Sequence, residues 1–355
     1  MSKTLGKPTD LAYQGGKRSS MLRFAFPSQS ALEEPTIAFL LSCGLPVRRP
    51  NARQYTGSIG TLPEVVLLFQ RSADIPAKVE EGSAELGVVG LERFYEERKE
   101  GGESILIVED MGYSRCELVV AVPDAWIDVS SVADLADLSA ELRERGRELR
   151  VATEYPRLVQ RFLFSKGLNY FGLVESSGAT EAAPTMGYAD IIADITETGV
   201  TLRDNRLKTI AEGTILKSQA CLIGNRRLLK QDPCCLETTR LVLELIEARL
   251  RATNYYSVTA NIRGGSPEAV VEHLRMHPEV AGIQGPTISK VYSKLNQEQD
   301  WYAVTVVVEM DKMVEAVETM RQMGGSGITV FSANYVFESE SGIYERLLQQ
   351  LESAP

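Results

Sequence analysis

Histidine is almost absent from this chain of 355 residues: there are two, His273 and His277, both near the C-terminal end. The larger N-terminal part therefore has no histidine base, which excludes Ser-His-Asp and Cys-His catalysis there. No apolar run approaches the roughly 18 residues that a membrane-spanning helix needs. The first twenty residues lack the apolar segment of a signal peptide and read as a polar extension, so the expected compartment is the cytoplasm. Positive charge is in deficit, with 38 basic against 48 acidic residues and a net charge of −10. A polynucleotide binder takes its affinity from neutralising phosphates along a basic stripe. The nearest clusters here are Arg48-Arg49 and Arg226-Arg227, so neither a nucleic-acid nor a membrane partner is expected.

The five cysteines (Cys43, Cys116, Cys221, Cys234 and Cys235) are odd in number and have no C-x-x-C spacing. They suit small buried apolar side chains in a reducing compartment. The i,i+4 spacing of His273 and His277 would place both rings on one helix face. No Glu follows the first and no third ligand is evident, so a solvated helix end is the reading preferred over a metal pair.

What is present is an ordinary globular composition, 44% apolar and 24% charged, at a length that suits two or three domains. From Leu22 onward short apolar runs alternate with helical patterns. LRFAF is followed by a helix stripe at Leu32, Ile37, Leu40 and Leu41. VVLLF (65–69) leads into Asp74-Ile75-Pro76, and ELGVVG (85–90) precedes a charged helix. The middle repeats the theme with a polar helix at 139–147, then ELRVAT, a helix at 156–166, YFGLVES and DIIADI. ILKSQACLIGN (215–225) reads as one more strand. Such alternation predicts a mostly parallel α/β core in two lobes. The last hundred residues follow the order β-α-β-β-α-β of a ferredoxin-like unit.

Chemistry concentrates in Ser176–Leu202. In DIIADI, Asp190, Ile192 and Asp194 share one strand face. The strand runs into Thr196-Glu197-Thr198-Gly199-Val200-Thr201, where hydroxyls flank a glycine able to form a tight turn with inward N–H groups. Such a loop suits a phosphate monoester, and a carboxylate a few residues upstream suits ribose hydroxyls; a simple β-turn is the alternative for the loop taken alone. For Asp190 a solvated strand-end acid is the alternative.

Glu181, Gly187, Ala189, Ile192, Asp194-Ile195, Thr198-Gly199 and Thr201-Leu202 together resemble the signature of the ATP phosphoribosyltransferases. Arg71-Ser72-Ala73-Asp74-Ile75-Pro76 is similar to the family's R-x-x-D-I-P, ELGVVG to its D-L-G-I-V-G, and Ala152-Thr153-Glu154-Tyr155-Pro156 to its A-T-x-Y-P. The C-terminal unit with Gly285-Pro286-Thr287 resembles the regulatory domain of the family's long form.

The resemblance implies transfer of phosphoribose from phosphoribosyl pyrophosphate to N1 of ATP, with Mg²⁺, in the first step of histidine biosynthesis. It implies an α/β core of two lobes resembling periplasmic-binding-protein lobes, plus an ACT-like C-terminal domain. The expected organisation is an extension over 1–20, a first lobe over 21–113 and 207–230, and a second lobe over 114–206. A linking helix over 231–253 and a regulatory domain over 254–355 complete it. By resemblance Glu197, Thr198, Gly199, Val200 and Thr201 form the 5′-phosphate loop, and Asp194, Asp190 and Glu181 are the catalytic carboxylates. Arg53, Arg71, Arg115 and Tyr155 are candidates for the nucleotide and pyrophosphate. Ile283, Thr287, Val307 and Gly327 match a histidine site between domains of a homo-oligomer, from dimer to hexamer, with histidine as inhibitor.

Two departures stand out. Family members carry a Lys-Gly-Arg loop after the first strand, where AFPSQSAL has Ser28, Gln29 and Ser30, and Glu117 replaces an arginine in Tyr113–Glu117. Arg263 stands where an acidic residue is expected in the C-terminal domain. These changes keep two alternatives open: a non-catalytic ligand-binding paralogue, and a phosphoribosyltransferase with another acceptor.

Overall fold

The computed structural model describes residues 21–352, apart from 52, 177, 278–281, 284 and 293–299. The extension expected over 1–20 lies outside the described residues. The chain starts with β1 (Leu22–Ser28) and α1 (Glu33–Ser42), followed by β2 (Val47–Arg48), β3 (Thr56–Ile59) and β4 (Leu62–Arg71). Then come α2 (Ile75–Glu80), β5 (Leu86–Gly90), α3 (Leu91–Glu97) and β6 (Ser104–Val108). β1 is flanked in parallel by β4 and β5, so its side chains are buried on both faces, which is why LRFAF reads as a continuous apolar run.

The second lobe runs through β7 (Cys116–Pro123), α4 (Val132–Glu144), β8 (Leu149–Thr153), α5 (Pro156–Ser165) and β9 (Phe171–Glu175). It continues through α6 (Ala183–Met186), β10 (Ile191–Thr196), α7 (Val200–Asp204) and β11 (Leu207–Ser218). Its sheet has the order β11-β7-β10-β8-β9, with β8 parallel to β10 and β9 and with β7 antiparallel to its neighbours. α4 starts at Val132, earlier than the polar pattern from 139 indicates. Ser131 and Asp134 form a reciprocal capping box there.

The return to the first lobe falls at Gln219, not at residue 207. The stretch read as one strand over 215–225 is two: β11 stays in the second sheet, whereas β12 (Ala220–Asn225) inserts antiparallel between β5 and β6. The two crossing segments are hydrogen-bonded to each other, Met111 N–H to the Ala220 carbonyl at 3.0 Å and Ala220 N–H to the Tyr113 carbonyl at 3.1 Å. Both sheets are therefore mixed rather than mostly parallel: antiparallel strands lie where the chain crosses, and β2, β3 and β4 pair antiparallel at the other edge of the first sheet. A second fastening lies between α3 and α5. The buried Glu96 carboxylate accepts the N–H groups of Arg157 and Leu158, at 2.8 and 2.9 Å, in the first turn of α5. Those donors have no partner within their own helix, so a carboxylate from the opposite lobe is well placed to cap them.

After β12 come α8 (Arg226–Gln231) and α9 (Pro233–Ala252). The C-terminal domain contains β13 (Tyr255–Gly264), α10 (Pro267–Arg275), β14 (Thr287–Val291), β15 (Asp300–Glu309), α11 (Met313–Gln322) and β16 (Ser326–Ser332). Its sheet order is β14-β15-β13-β16. The last helix, α12 (Gly342–Glu352), does not belong with this domain, as a boundary of 254–355 supposed. Its Ile343, Leu347 and Leu351 complete the first lobe's core beside Val242, Leu243 and Ile246 of α9. Leu347 is 1% exposed; Leu347→Ala is expected to destabilise the first lobe by about 2–4 kcal/mol. Chemical denaturation measures this, and a loss below about 1 kcal/mol would contradict the docking of α12. Among the described residues no helix is long and apolar enough to cross a membrane.

Candidate active site

The ends of five strands converge on one cavity of about 510 Å³ between the lobes. Ser30 follows β1, Ser72 and Ala73 follow β4, and Glu92 and Arg93 follow β5; from the other side come Glu154 and Tyr155 after β8 and Asp194–Thr198 at the end of β10. Carboxyl ends of strands are where open α/β sheets leave room for ligands, because the connections there splay to either face.

β10 sets the geometry of its own end. Ile191, Ile192 and Ala193 are fully buried and anchor the strand between β7 and β8, so Asp194 emerges at the cavity wall. Burial pushes its carboxyl up to about 6, despite the Ile195 N–H that donates to Oδ1 at 2.8 Å, and Glu154 and Glu181 raise it further. Gly199 sits at φ +69°, in the left-handed region that favours glycine, and turns the chain into α7. Its N–H is occupied by the Thr196 hydroxyl at 2.9 Å. The first helix bond runs from Arg203 N–H to the Gly199 carbonyl at 3.1 Å, so the N–H groups of Val200, Thr201 and Leu202 lie outside the helix ladder. Thr198, Val200, Thr201 and Glu197 line the cavity as expected, and so do Glu181, Asp194 and Tyr155.

Asp190 does not. It lies at the opposite end of β10, where Arg150 holds it through Nε at 3.1 Å and Nη2 at 2.9 Å. Partial burial raises its pKa, but the Arg150 hydrogen bonds outweigh that and the net direction is down. One strand face covers both acids, yet the strand's length carries them to different ends of the sheet. None of the three candidate arginines lines the cavity. Arg53 and Arg71 are exposed outside it, and Arg115 is exposed and paired with Asp110 at 2.8 Å. Ser28 is buried at the end of β1, its hydroxyl donating to the Gln70 carbonyl, so of Ser28, Gln29 and Ser30 only Ser30 lines the cavity. Glu117 lies on β7, opposite Thr196.

The cation of the cavity is Arg93, which the sequence patterns did not single out. It extends from α3 across the cleft to Glu154 at 3.0 Å, and its guanidinium lies 4.5 Å from the ring centroid of Tyr155. Glu154 also accepts the Gly178 N–H at 2.7 Å. Glu92 is buried and bonded to the Ser218 hydroxyl. The signal for Arg93 was its position: three residues past the end of a buried strand, beside the motif ELGVVG. Cys116 lines the same cavity, but burial, with Glu92 adding to it, pushes its thiol up to about 11, so it is a poor nucleophile.

Among the described lining residues carboxylates thus outnumber cations: Glu92, Glu154, Glu181, Asp194 and Glu197 against Arg93. Among the described residues no set of three or more His, Cys, Asp or Glu side chains stands together as metal ligands. The site is shaped to stabilise positive charge developing near Asp194 and to accept an anion at the β10–α7 turn.

Residues 71–250 match the family described as ATP phosphoribosyltransferase, and residues 252–335 match the domain described as HisG, C-terminal domain. ATP phosphoribosyltransferase 1, chloroplastic, of Arabidopsis thaliana is 36% identical over 334 residues, covering 93% of this chain and 81% of that protein. ATP phosphoribosyltransferase of Bradyrhizobium sp. (strain ORS 278) is 34% identical over 332 residues, covering 93% of this chain and 98% of that protein. A chain of the solved ATP phosphoribosyl transferase (HisG:HisZ) complex from Thermotoga maritima aligns over 64% of this chain and 99% of its own length, with 24% identity and a TM-score of 0.49. On the family match and the identity to these relatives over nearly the whole chain, the protein belongs to the ATP phosphoribosyltransferase family.

Proposed function

We propose that the cleft transfers phosphoribose from phosphoribosyl pyrophosphate to N1 of ATP, releasing pyrophosphate, in the first step of histidine biosynthesis. The observation that carries this reading is the end of β10, where a half-buried carboxylate and a turn with free N–H groups are held a few residues apart at the cleft wall. The 5′-phosphate lies on the N–H groups of Val200 and Thr201 and the hydroxyls of Thr198 and Thr201; Gly199 contributes its backbone conformation. Asp194, with Glu181, holds the ribose hydroxyls.

The bond from C1′ to N1 of adenine forms as the bond from C1′ to the pyrophosphate oxygen breaks, and pyrophosphate leaves with the electron pair. Positive charge grows on the ribose meanwhile, and fixed carboxylates around Asp194 stabilise it without reorganising. Arg93 faces the pyrophosphate.

The family in general needs a divalent metal, and we assign Mg²⁺. Glu181 and Asp194, the hard oxygen donors lining the cleft, would hold it together with oxygens of the substrate, and it would supply positive charge to offset that of the leaving group.

In the C-terminal domain, Ile283 N–H donates to the Val307 carbonyl at 3.1 Å and Thr287 pairs with Thr305 on β15. Gly327 lies on β16, beyond β13. Ile283, Thr287 and Val307 thus gather at β15 within one domain while Gly327 lies on the far edge strand, and the four remain our proposed histidine site between chains of a homo-oligomer. Arg263 is engaged with the Trp301 ring at 4.6 Å.

The test is the ultraviolet absorbance change on mixing the protein with ATP, phosphoribosyl pyrophosphate, Mg²⁺ and pyrophosphatase, repeated with histidine. Absence of signal while phosphoribosyl pyrophosphate still binds would overturn the reading in favour of a binding protein or another acceptor. Thr198→Ala is expected to weaken phosphoribosyl pyrophosphate about 10- to 100-fold by calorimetry, the size of one or two hydrogen bonds to a charged group. An unchanged affinity would remove the loop from the site.

A further inference from the structure

Position 154 is the open one in Ala152-Thr153-Glu154-Tyr155-Pro156, and it places a carboxylate in the lining of the cleft. Both oxygens of that carboxylate are engaged. Oε2 accepts Arg93 Nη2 from the first lobe at 3.0 Å, and Oε1 accepts the Gly178 N–H from its own lobe at 2.7 Å. The Glu154 carbonyl accepts Arg93 Nη1 at 3.4 Å, and the Tyr155 ring covers a face of the guanidinium. Arg93 is therefore only 14% exposed, with both terminal nitrogens bound to the opposite lobe. The Met111–Ala220 and Glu96–Arg157 bonds also join the lobes, but those residues do not line the cavity, whereas Arg93 and Glu154 do.

A guanidinium grips a phosphate best as a fork, with two parallel N–H groups on two oxygens. On Arg93 the terminal nitrogens are taken by the carboxylate and the carbonyl of one residue. A pyrophosphate brought to that fork would lie against the Glu154 carboxylate, and like charges in contact repel. In an empty cleft the same carboxylate neutralises a mostly buried cation that would otherwise stand unpaired. Its second anchor gives it a place to remain, because the Gly178 N–H can hold Oε1 after Oε2 has let go.

We propose, on the reading that Arg93 faces the pyrophosphate, that Glu154 is an autoinhibitory contact. Its carboxylate occupies on Arg93 the place that the pyrophosphate of phosphoribosyl pyrophosphate takes, and it withdraws toward Gly178 when that substrate binds. Affinity for the substrate is then set in part by a competition within the protein, and a neutral residue at position 154 relieves it. A bridge that merely held the lobes together would act in the opposite sense, since its loss would loosen the cleft and weaken binding.

The test is calorimetric titration of the full chain with phosphoribosyl pyrophosphate and with ribose 5-phosphate, which lacks the pyrophosphate. Glu154→Gln is expected to bind phosphoribosyl pyrophosphate about tenfold more tightly, as removal of a like charge beside a bound anion implies. Ribose 5-phosphate, held at the β10–α7 turn and not by Arg93, is expected to change by less than about twofold. Arg93→Met is expected to weaken phosphoribosyl pyrophosphate and to leave ribose 5-phosphate unaltered. Unchanged or weaker binding of phosphoribosyl pyrophosphate to Glu154→Gln, with Arg93→Met still weakening it, would overturn the autoinhibition alone. Equal tightening of both ligands would overturn it as well, by showing a general effect of charge in an acidic cleft. Should Arg93→Met leave the affinity unaltered, the pyrophosphate is not on Arg93, and that placement falls together with the autoinhibition. Glu154→Ala removes the carboxylate outright, is expected to shift the affinity in the same direction, and decides the matter should Glu154→Gln fail to fold.

Discussion

Asp194→Asn is expected to stabilise the ligand-free protein while removing most of its activity. The folded carboxyl titrates at about 6 against 3.8 for an ordinary aspartate, chiefly because burial penalises its charged form. Between those values the folded state binds more protons than the unfolded one, so stability falls as pH rises from about 4 to about 6 and remains lower above that. A shift of about two units corresponds to about 2–3 kcal/mol. Asparagine retains an Oδ1 to accept the Ile195 N–H but carries no charge to desolvate. At neutral pH the variant should therefore unfold at a higher denaturant concentration, and the difference should vanish below about pH 4. Without the carboxylate, the developing charge on the ribose loses a fixed counter-charge, and kcat should drop roughly 10²- to 10³-fold. The unaltered protein should show an acid limb in kcat/KM near pH 6, absent from the variant. A variant no more stable than the unaltered protein at pH 7 would contradict the burial of Asp194, and one that retains activity would contradict its role.

Removing Arg93 should have an effect of similar size through the opposite charge. The guanidinium reaches across the cleft, and its partners Glu154 and Tyr155 lie on the other lobe. Arg93→Met keeps much of the stem but leaves Glu154 with only the Gly178 N–H and removes the only cation among the described lining residues. A bond between charged groups contributes about 1.5–3 kcal/mol, and more than one is lost here. We expect kcat/KM for phosphoribosyl pyrophosphate to drop about 10²- to 10⁴-fold, with Arg93→Lys intermediate because an ammonium cannot both stack on Tyr155 and pair in a fork. Steady-state kinetics at varied phosphoribosyl pyrophosphate measures it. A change below threefold would mean that pyrophosphate is held elsewhere.

The two departures from the family pattern look different once placed. Loss of the Lys-Gly-Arg loop suggested that the nucleotide half of the site had lost both its cations. Yet Ser28 is buried in β1, and Arg93 supplies a cation at the end of the neighbouring strand β5. Motif spacing along one loop does not reveal a cation delivered from the adjacent strand end, because parallel strands bring residues more than sixty positions apart to one sheet edge.

The sequence by itself determined the α/β class, the Thr-Gly turn after β10 and the family, since each is written in local order: apolar runs of strand length, a glycine between threonines, and a contiguous motif. Tyr155 and Glu181 were legible for the same reason. What only the tertiary structure decided are the matters of distance across the chain. Asp190 and Asp194 share a strand face but lie at opposite ends of it, one neutralised by Arg150 and the other desolvated at the cleft. In the stretch 215–225 only the polar run Lys217-Ser218-Gln219 marks the place where the sheet changes, and it does not by itself say so, because β11 and β12 are each satisfied by partners far away in sequence. The final helix follows the C-terminal domain in order yet packs on the first lobe, since its apolar stripe matches the face that α9 leaves open. Periodicity records that a surface must be buried; which surface buries it is settled by the folded chain alone.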